Sequence, residues 1–193
     1  MSDGGERGTP VGPWRRLTRR SVYENAWLEL LHDEVLRPDG SPGIYGVVHL
    51  RNQAVGVVAL DDAERVLLVG QYRYTLDAYS WEIPEGGVDP SESLEAGARR
   101  ELREETGFDA AEWRQLFRFS MSNSVTDETG AIFLATGLTA GDATPEPSED
   151  ITVRWVPFDD AVAMIDAGEI TDVMSVAGLL RVALSRRGAV TGG

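Results

Sequence analysis

Three glutamates in one short segment are the residues of this sequence whose spacing most clearly suggests chemistry. Glu101, Glu104 and Glu105 are separated by three and four positions, so on a helix all three project from one face. Like charges at this spacing repel each other and do not stabilise a helix. Carboxylates that converge without histidine or cysteine indicate a site for a hard divalent cation, either Mg²⁺ or Mn²⁺. The alternative is an acidic helix face in solvent.

The composition excludes several other chemistries. The chain has 193 residues, a net charge of −14, no cysteine and two histidines, and all 18 of its basic residues are arginine. Without cysteine there is no thiolate nucleophile and no iron–sulfur cluster. Without lysine there is no Schiff base and no phosphate-binding loop of the GxxxxGK[ST] type. Carboxylates, arginines, hydroxyls and a hard metal ion remain.

The glutamates require a helix, and its limits can be predicted. Asp89 suits the N-cap, Glu92 lies where a capping box needs it, and Gly107 is a typical C-terminal stop, which predicts a helix over Pro90–Thr106. Gly97, in its interior, costs about 1 kcal/mol relative to alanine and suggests that another backbone segment comes close there.

The remaining sequence predicts short strands with interspersed helices and no regular βαβ alternation. This pattern favours an α/β protein of the α+β or mixed sandwich type. Strands are predicted within 22–35 and at 45–50, 54–60, 66–72, 113–119, 131–135 and 151–157, with later helices at 158–167 and 173–187. We expect residues 1–13 to be a disordered tail, 14–50 an N-terminal strand region that forms a dimer, and 51–190 the catalytic domain.

The segment from Gly86 to Phe108 resembles the Nudix box, G-x5-E-x7-R-E-U-x-E-E-x-G-U with U apolar, at every position. The resemblance implies an α/β/α sandwich with a mixed sheet, plus an N-terminal antiparallel sheet. It implies that Glu101 and Glu105 are the main metal ligands, with Glu104 as a further ligand or water contact. The resemblance also implies that the carbonyl of Glu85 completes the metal shell and that Arg100 orients the glutamates.

The flanking sequence resembles the ADP-ribose pyrophosphatase and nucleoside diphosphate sugar hydrolase branch of that family. The strings VGQYRY and WEIPEGG imply that Arg73 contacts the diphosphate and that Glu82 helps to bind substrate or a metal-bound water. An ion pair at a strand edge is the alternative for Arg73. The loop from Ser122 to Glu128 resembles one that lies beside the distal phosphate and ribose, and a polar turn is its alternative.

The same resemblance assigns a general base and a nucleoside site. Glu149 is the first candidate for the base and Glu146 the second, on a loop that could deliver the base on closure. Trp27 could stack on the base of the nucleotide in a sheet exchanged between subunits, or it could be a core residue. Arg51 could reach the nucleotide. Exchange of the early strands implies a homodimer with two-fold symmetry.

The predicted function is metal-dependent cleavage of the pyrophosphate of ADP-ribose or a related nucleoside diphosphate sugar to a nucleoside monophosphate and a sugar phosphate. The alternatives are a Nudix pyrophosphohydrolase of dinucleoside polyphosphates or oxidised nucleotides, and a non-catalytic ligand-sensing Nudix domain. The arginines of residues 14–20 suggest a solvated arm or one that contacts a partner subunit, and the acidic body disfavours nucleic acid. No secretory signal or membrane span is visible, so we expect a cytoplasmic protein with no membrane partner.

Overall fold

Eleven strands and three helices form in the residues that the computed structural model describes, which are 8–142 and 150–190. The strands are β1 (Thr9–Val11), β2 (Trp14–Glu24), β3 (Leu28–Leu36), β4 (Pro42–Leu50), β5 (Gln53–Ala59), β6 (Arg65–Arg73), β7 (Ala78–Glu82), β8 (Glu85–Val88), β9 (Phe108–Ser120), β10 (Thr129–Ala140) and β11 (Thr152–Pro157). The helices are α1 (Leu94–Thr106), α2 (Phe158–Asp166) and α3 (Val173–Val190). The chain divides into an N-terminal unit, up to Asn52 with Ser120–Glu128, and a second unit, Gln53–Phe119 with the described residues from Thr129 onward. We call the second unit the catalytic unit, after the sequence-based prediction for residues 51–190.

The N-terminal unit is built on an antiparallel sheet in the order β1-β2-β3-β4. The expectation of a disordered tail over 1–13 is therefore wrong for Thr9–Val11, which pairs with β2, and the arginine-rich segment is a strand whose residues are mostly exposed to solvent. One of these arginines pairs with the neighbouring strand: Arg19 donates two hydrogen bonds of 2.7 Å to the buried Asp33 on β3. These bonds lower the pKa of the Asp33 carboxyl.

The catalytic unit has three layers around the sheet β8-β5-β10-β9, in which β5 and β10 run parallel and β5 and β8 antiparallel. Strand β5 is almost entirely buried, and its side chains alternate between two helical layers. Val55 and Val57 belong to the core cluster that contains Leu102 of α1. On the opposite face, Val58 lies against Gly178 of α3. The predicted α/β/α sandwich with a mixed sheet and an additional antiparallel sheet is confirmed.

Strands β6, β7 and β11 form a second sheet of the catalytic unit, with β6 in the centre and antiparallel to both neighbours. Helix α2 packs on β6 and β11 and against α3. Strands β7 and β8 were not predicted as strands. Part of the reason is that β8 begins Glu85-Gly86-Gly87 and contains few residues typical of strands. Its pairing with β5 is a tertiary effect that local composition does not show.

Helix α1 begins later than predicted and ends where predicted. Its N-cap is Ser93, whose side chain accepts a hydrogen bond from the Ala96 amide, and not Asp89. The Asp89 carboxylate instead accepts from the Ser91 amide in a local turn, so the capping-box role of Glu92 is also wrong. Gly107 terminates the helix in the left-handed conformation at φ 75°, where glycine has no Cβ penalty.

Arginines also pack on aromatic rings throughout the catalytic unit. Arginine makes such cation–π contacts more often than lysine, because its planar guanidinium can also stack on the ring. The pairs and their distances from guanidinium carbon to ring centroid are Arg154 on Trp81 (4.0 Å), Arg186 on Phe158 (4.0 Å), Arg99 on Trp113 (4.8 Å) and Arg65 on Trp155 (5.2 Å).

Within residues 8–142 and 150–190, no helix is both long and apolar enough to cross a membrane.

Gly97 marks a close approach between α1 and β8, but a side chain makes it and not the backbone that the sequence suggested. A Cβ atom added to Gly97 would lie 2.3 Å from Cγ2 of Val88. Valine is branched at Cβ and cannot easily rotate away. The absence of a side chain at Gly97 thus lets α1 pack closely on the strand that precedes it.

We expect Gly97→Ala to lower the free energy of unfolding although alanine is the better helix former. The gain in helix propensity is about 1 kcal/mol, while overpacking a core costs about 1–3 kcal/mol. In urea unfolding, the double variant Gly97→Ala/Val88→Ala should be about 1 kcal/mol more stable than the sum of the two single effects predicts, because removing the Val88 methyl groups makes room for the new Cβ.

The matched control is Gly46→Ala on β4, where no atom lies within 4 Å of an added Cβ. This variant should keep wild-type stability or gain slightly. Additive effects of Gly97→Ala and Val88→Ala would contradict the packing explanation.

Candidate metal and active site

Helix α1 directs its glutamates toward the edge of the core and not fully into solvent. Glu105 is 4% exposed as a residue, and the side chains of Glu101 and Glu104 are 13% and 37% exposed. The alternative of a solvated acidic face is therefore wrong for Glu101 and Glu105. Two largely buried carboxylates on one helix require compensating cations or donors.

The turn between β7 and β8 lies directly against these glutamates. The amide of Glu85 donates a hydrogen bond of 3.1 Å to Oε2 of Glu105. A Cβ atom on Gly86 would lie 2.2 Å from the carboxyl carbon of Glu101. Glycine at this position therefore allows the backbone to approach the carboxylate, which accounts physically for the first residue of the Nudix box.

The sheet register also determines the direction of the Glu85 backbone. The amide of Val57 donates to the carbonyl of Pro84 at 2.8 Å, next to the antiparallel pair Gly56–Glu85. That pair is therefore of the non-hydrogen-bonded kind, in which both backbone groups point away from the partner strand. The Glu85 carbonyl is thus directed away from β5. The Glu85 amide is also directed away from β5, toward Glu105.

Arg100 is the cation that holds the glutamates in this structure. Its Nη1 donates to Glu101 at 2.7 Å and to Glu104 at 2.9 Å. Its Nη2 donates to the carbonyl of Gly87 at 2.8 Å and to Glu92 at 3.3 Å. Partial burial lowers the pKa of the guanidinium, but the hydrogen bonds that it donates to these carboxylates outweigh burial and raise that pKa overall. Glu92 is thus a partner of Arg100.

The donor set fits a divalent cation. Two largely buried carboxylates, a more exposed third and a nearby backbone carbonyl are all hard oxygen donors of the kind that Mg²⁺ prefers. Among the described residues, no three acidic or histidine side chains are already grouped closely enough to enclose a metal ion. In this structure the guanidinium of Arg100 interacts with the carboxylates of Glu101 and Glu104.

A second charged cluster lies on the other side of the turn. Nε of Arg73, at the end of β6, donates to Glu82 at 2.9 Å, and Nη2 donates to both Glu82 and Glu85, the latter at 3.1 Å. Glu82 is buried. Arg73 and Glu82, the two predicted substrate residues, therefore contact each other. The ion pair that was the alternative for Arg73 does form.

Asp172 and Ser175 are site-adjacent residues that sequence reasoning missed. Asp172 accepts a 2.7 Å hydrogen bond from the Ser175 amide at the start of α3, as an N-cap does. Burial, together with the nearby carboxylates of Asp172 and Glu82, raises the pKa of Glu85 well above its ordinary value. The spacing of Asp172 and Ser175 could have indicated the start of a helix. No local signal, however, places this helix start beside Glu85.

The N-terminal unit places Trp27 and Arg51 next to each other. Trp27 is 72% exposed, so it is not a core residue of the described chain. The amide of Arg51 donates to the carbonyl of Trp27 at 3.0 Å. The Arg51 guanidinium donates to the carbonyl of Asn25 at 3.0 Å and to Glu24 at 3.2 Å.

The loop from Ser122 to Glu128 packs against β4. The Val48 amide donates to the carbonyl of Val125 at 2.8 Å, and His49 contacts Asp127 at 2.5 Å. The carbonyl of Ser122 accepts the amides of Val125 and Thr126 in a turn. The pKa of the half-buried Glu128 is raised by burial and by Asp127. The polar-turn alternative thus describes the observed contacts of this loop, and His49 makes a structural contact.

Both predicted base residues, Glu146 and Glu149, lie outside the described residues. The structure therefore leaves their assignment as a prediction.

Two family models and several known proteins match this chain. The model of the NUDIX domain matches residues 50–174, and the model of the nucleoside diphosphate sugar hydrolase N-terminal domain matches residues 14–48. An ADP-ribose pyrophosphatase of Mycobacterium tuberculosis is 34% identical over 169 residues, which are 86% of this chain and 81% of the relative. An ADP-ribose pyrophosphatase of Bacillus subtilis is 29% identical over 160 residues, 82% and 86% of the two chains.

A solved structure described as an ADP compounds hydrolase has the same fold. Its TM-score is 0.84 at 21% sequence identity, and the match covers 94% of this chain and 98% of that chain. The fold, the glycine beside Glu101 and the family match over residues 50–174 agree with each other. The chain belongs to the Nudix family of hydrolases.

Proposed function

We propose that this protein hydrolyses the pyrophosphate bond of ADP-ribose or a related nucleoside diphosphate sugar, giving a nucleoside monophosphate and a sugar phosphate. The observation on which the chemistry rests is the group formed by Glu101, Glu105 and the Glu85 turn. The substrate class rests on the match of residues 14–48 to a nucleoside diphosphate sugar hydrolase domain. The names of the two pyrophosphatase relatives favour the same class.

Glu101, Glu105 and the carbonyl of Glu85 would hold the divalent cation, with Glu104 as a further ligand or water contact. Mg²⁺ is the first candidate and Mn²⁺ the second. When bound, such a cation neutralises phosphate charge and lowers the pKa of water. Arg100 already contacts Glu101 and Glu104, so its part is to keep these carboxylates oriented.

Arg73 would bind the diphosphate while Glu82 holds the Arg73 side chain in place. The bonds of Arg73 to Glu82 and Glu85 use Nε and Nη2, which leaves the Nη1 edge of the guanidinium for the diphosphate. Arginine binds phosphate through such planar edges. Because Glu82 is buried and accepts from Arg73, it restricts the rotamers of that long side chain. Glu149, or in second place Glu146, would act as general base toward the attacking water.

Trp27 and Arg51 would bind the nucleoside, with Ser122 and Glu128 on the neighbouring loop as further substrate contacts. The exposed indole of Trp27 offers a flat surface on which a base can stack. We propose that these residues serve the active site of a second copy in a homodimer, because the family resemblance implies exchange of the early strands. A cytoplasmic location stays a prediction from the sequence.

The substrate prediction is tested with purified protein, Mg²⁺ and a panel of candidate substrates. We expect turnover of ADP-ribose or of a nucleotide sugar such as GDP-mannose or UDP-glucose, with release of a monophosphate. Preference for diadenosine polyphosphates or 8-oxo-dGTP would instead establish the alternative Nudix hydrolase functions. Binding without turnover of any compound would favour the ligand-sensing domain.

Replacement of Glu105 by glutamine tests the metal ligand. The amide oxygen can still accept from the Glu85 amide, so the fold should persist, while the loss of charge weakens the site. We expect binding of Mn²⁺, measured by electron paramagnetic resonance of the free ion, to weaken at least about 100-fold, because even residues outside the ligand shell contribute 10–100-fold. Turnover should be lost with it.

Glu95→Gln is the matched control for this charge change. Glu95 lies on the same helix and pairs with Arg99 at 2.9 Å on the surface, and such exposed pairs contribute little stability. This variant should bind Mn²⁺ and turn over substrate as the wild type does. Unchanged Mn²⁺ binding in Glu105→Gln would refute the ligand assignment.

Mixing two inactive variants tests whether Trp27 acts on the partner subunit. Trp27→Ala and Glu105→Gln should each be nearly inactive. After dissociation and random reassociation, half of the dimers are mixed and each contains one complete site, so about a quarter of wild-type activity should return. Tyr23→Ala, which removes another exposed aromatic side chain of the same unit, should remain active alone.

No recovery of activity in a confirmed mixed dimer would show that Trp27 acts within its own subunit. A protein that stays monomeric at the assay concentration, measured by sedimentation, would contradict the homodimer.

A further inference from the structure

The turn that presents the Glu85 carbonyl is fixed from the side opposite to α1 by the first turn of α3. The backbone amide of Ile83 donates a hydrogen bond of 2.9 Å to the hydroxyl of Ser175. Both residues are fully buried. A buried amide without a partner is costly, so this bond ties Ile83 to one position on α3.

Ser175 is itself held in place by the helix start. Its amide donates to the carboxylate of Asp172, and the amide of Val176 donates to the Asp172 carbonyl at 2.9 Å. Capping fixes the backbone of the first turn. The hydroxyl that receives the Ile83 amide therefore comes from a rigid helix end.

The three backbone positions of the turn are thus anchored to three different elements. Ile83 bonds to Ser175 of α3, the Pro84 carbonyl bonds to Val57 of β5, and the Glu85 amide bonds to Glu105 of α1. Proline has no amide hydrogen, so the bond at Ile83 is the last amide anchor before Glu85. Loss of the Ser175 hydroxyl would free the turn on the side away from the glutamates.

We infer that Ser175 is a positioning residue for the divalent-cation site, acting through the Ile83 amide on the direction of the Glu85 carbonyl. The inference rests on the cation site proposed above. Ser175 lies 92 positions from Ile83 in the chain, and its hydrogen bonds within the described residues go to Ile83 and Asp172 and not to the proposed ligands. Its effect on the cation is therefore indirect, through the geometry of the turn.

The test compares Mn²⁺ binding by the wild type, Ser175→Ala and Ser175→Thr, measured by electron paramagnetic resonance of the free ion. We expect about a tenfold weaker affinity in Ser175→Ala, within the 10–100-fold range of groups that orient ligands. Ser175→Thr keeps the hydroxyl and should restore most of the affinity. The Mg²⁺ concentration for half-maximal turnover should rise in parallel in Ser175→Ala.

Val182→Ala is the control for a merely structural effect. Val182 is buried on the same helix, about two turns further along, and its truncation should destabilise the protein without changing Mn²⁺ affinity. Equal weakening in Val182→Ala and Ser175→Ala would overturn the inference, as would unchanged affinity in Ser175→Ala. A wild type that fails to bind Mn²⁺ would refute the cation site itself, which is a separate outcome.

A measurement on the unaltered protein covers the case in which Ser175→Ala does not fold. Because binding and the anchoring bond are linked, Mg²⁺ should slow hydrogen exchange of the Ile83 amide at least several-fold. The amide of Val69 on β6, in the neighbouring sheet, serves as the reference. Exchange at Ile83 that does not respond to Mg²⁺ in a protein that binds the ion would overturn the inference.

Discussion

Crowding of carboxylates around one backbone turn is the physical constraint on which the catalytic unit depends. Glu101, Glu104 and Glu105 approach it from α1, and Glu82 and Glu85 belong to the turn region itself. Arg100 pairs with Glu101 and Glu104, and Arg73 pairs with Glu82 and Glu85. A divalent ion would compete with Arg100 for the same oxygens and reverse the local sign of the field. Strong net acidity and the binding of a diphosphate are therefore compatible.

The positions of these charges depend on very close packing of the backbone. Strand β8 pairs with β5 and packs closely against α1, and two glycines make this possible. Gly86 leaves room for the Glu101 carboxylate, and Gly97 leaves room for Val88. Interiors this dense transmit displacement, so side chains that never contact a phosphate help to determine whether the carboxylates and the Glu85 carbonyl converge.

Sequence reasoning predicted the elements with strong local signals and missed those set by distant contacts. The end of α1 at Gly107 and the acidic face were predictable because each is coded within a few residues. The N-cap was not, because Asp89 and Ser93 are both residue types that favour this position, and the Asp89 carboxylate instead accepts from Ser91 in a local turn. The role of Ser175 depends on a contact across 92 positions, and the membership of Ser120–Glu128 in the N-terminal unit depends on pairing with β4.

The position of Ser120–Glu128 in the chain affects how the protein reaches its folded state. The segment Ser120–Glu128 interrupts the catalytic unit between β9 and β10, yet its hydrogen bonds go to β4, as in Tyr45 to Ser124, 79 positions apart. Closing so long a loop is entropically costly and slows the formation of such contacts. The N-terminal sheet can thus form early from local hairpins. The segment that bonds to its edge strand β4, however, comes in the chain only after the first half of the catalytic unit. The two units are therefore not independent modules joined in series.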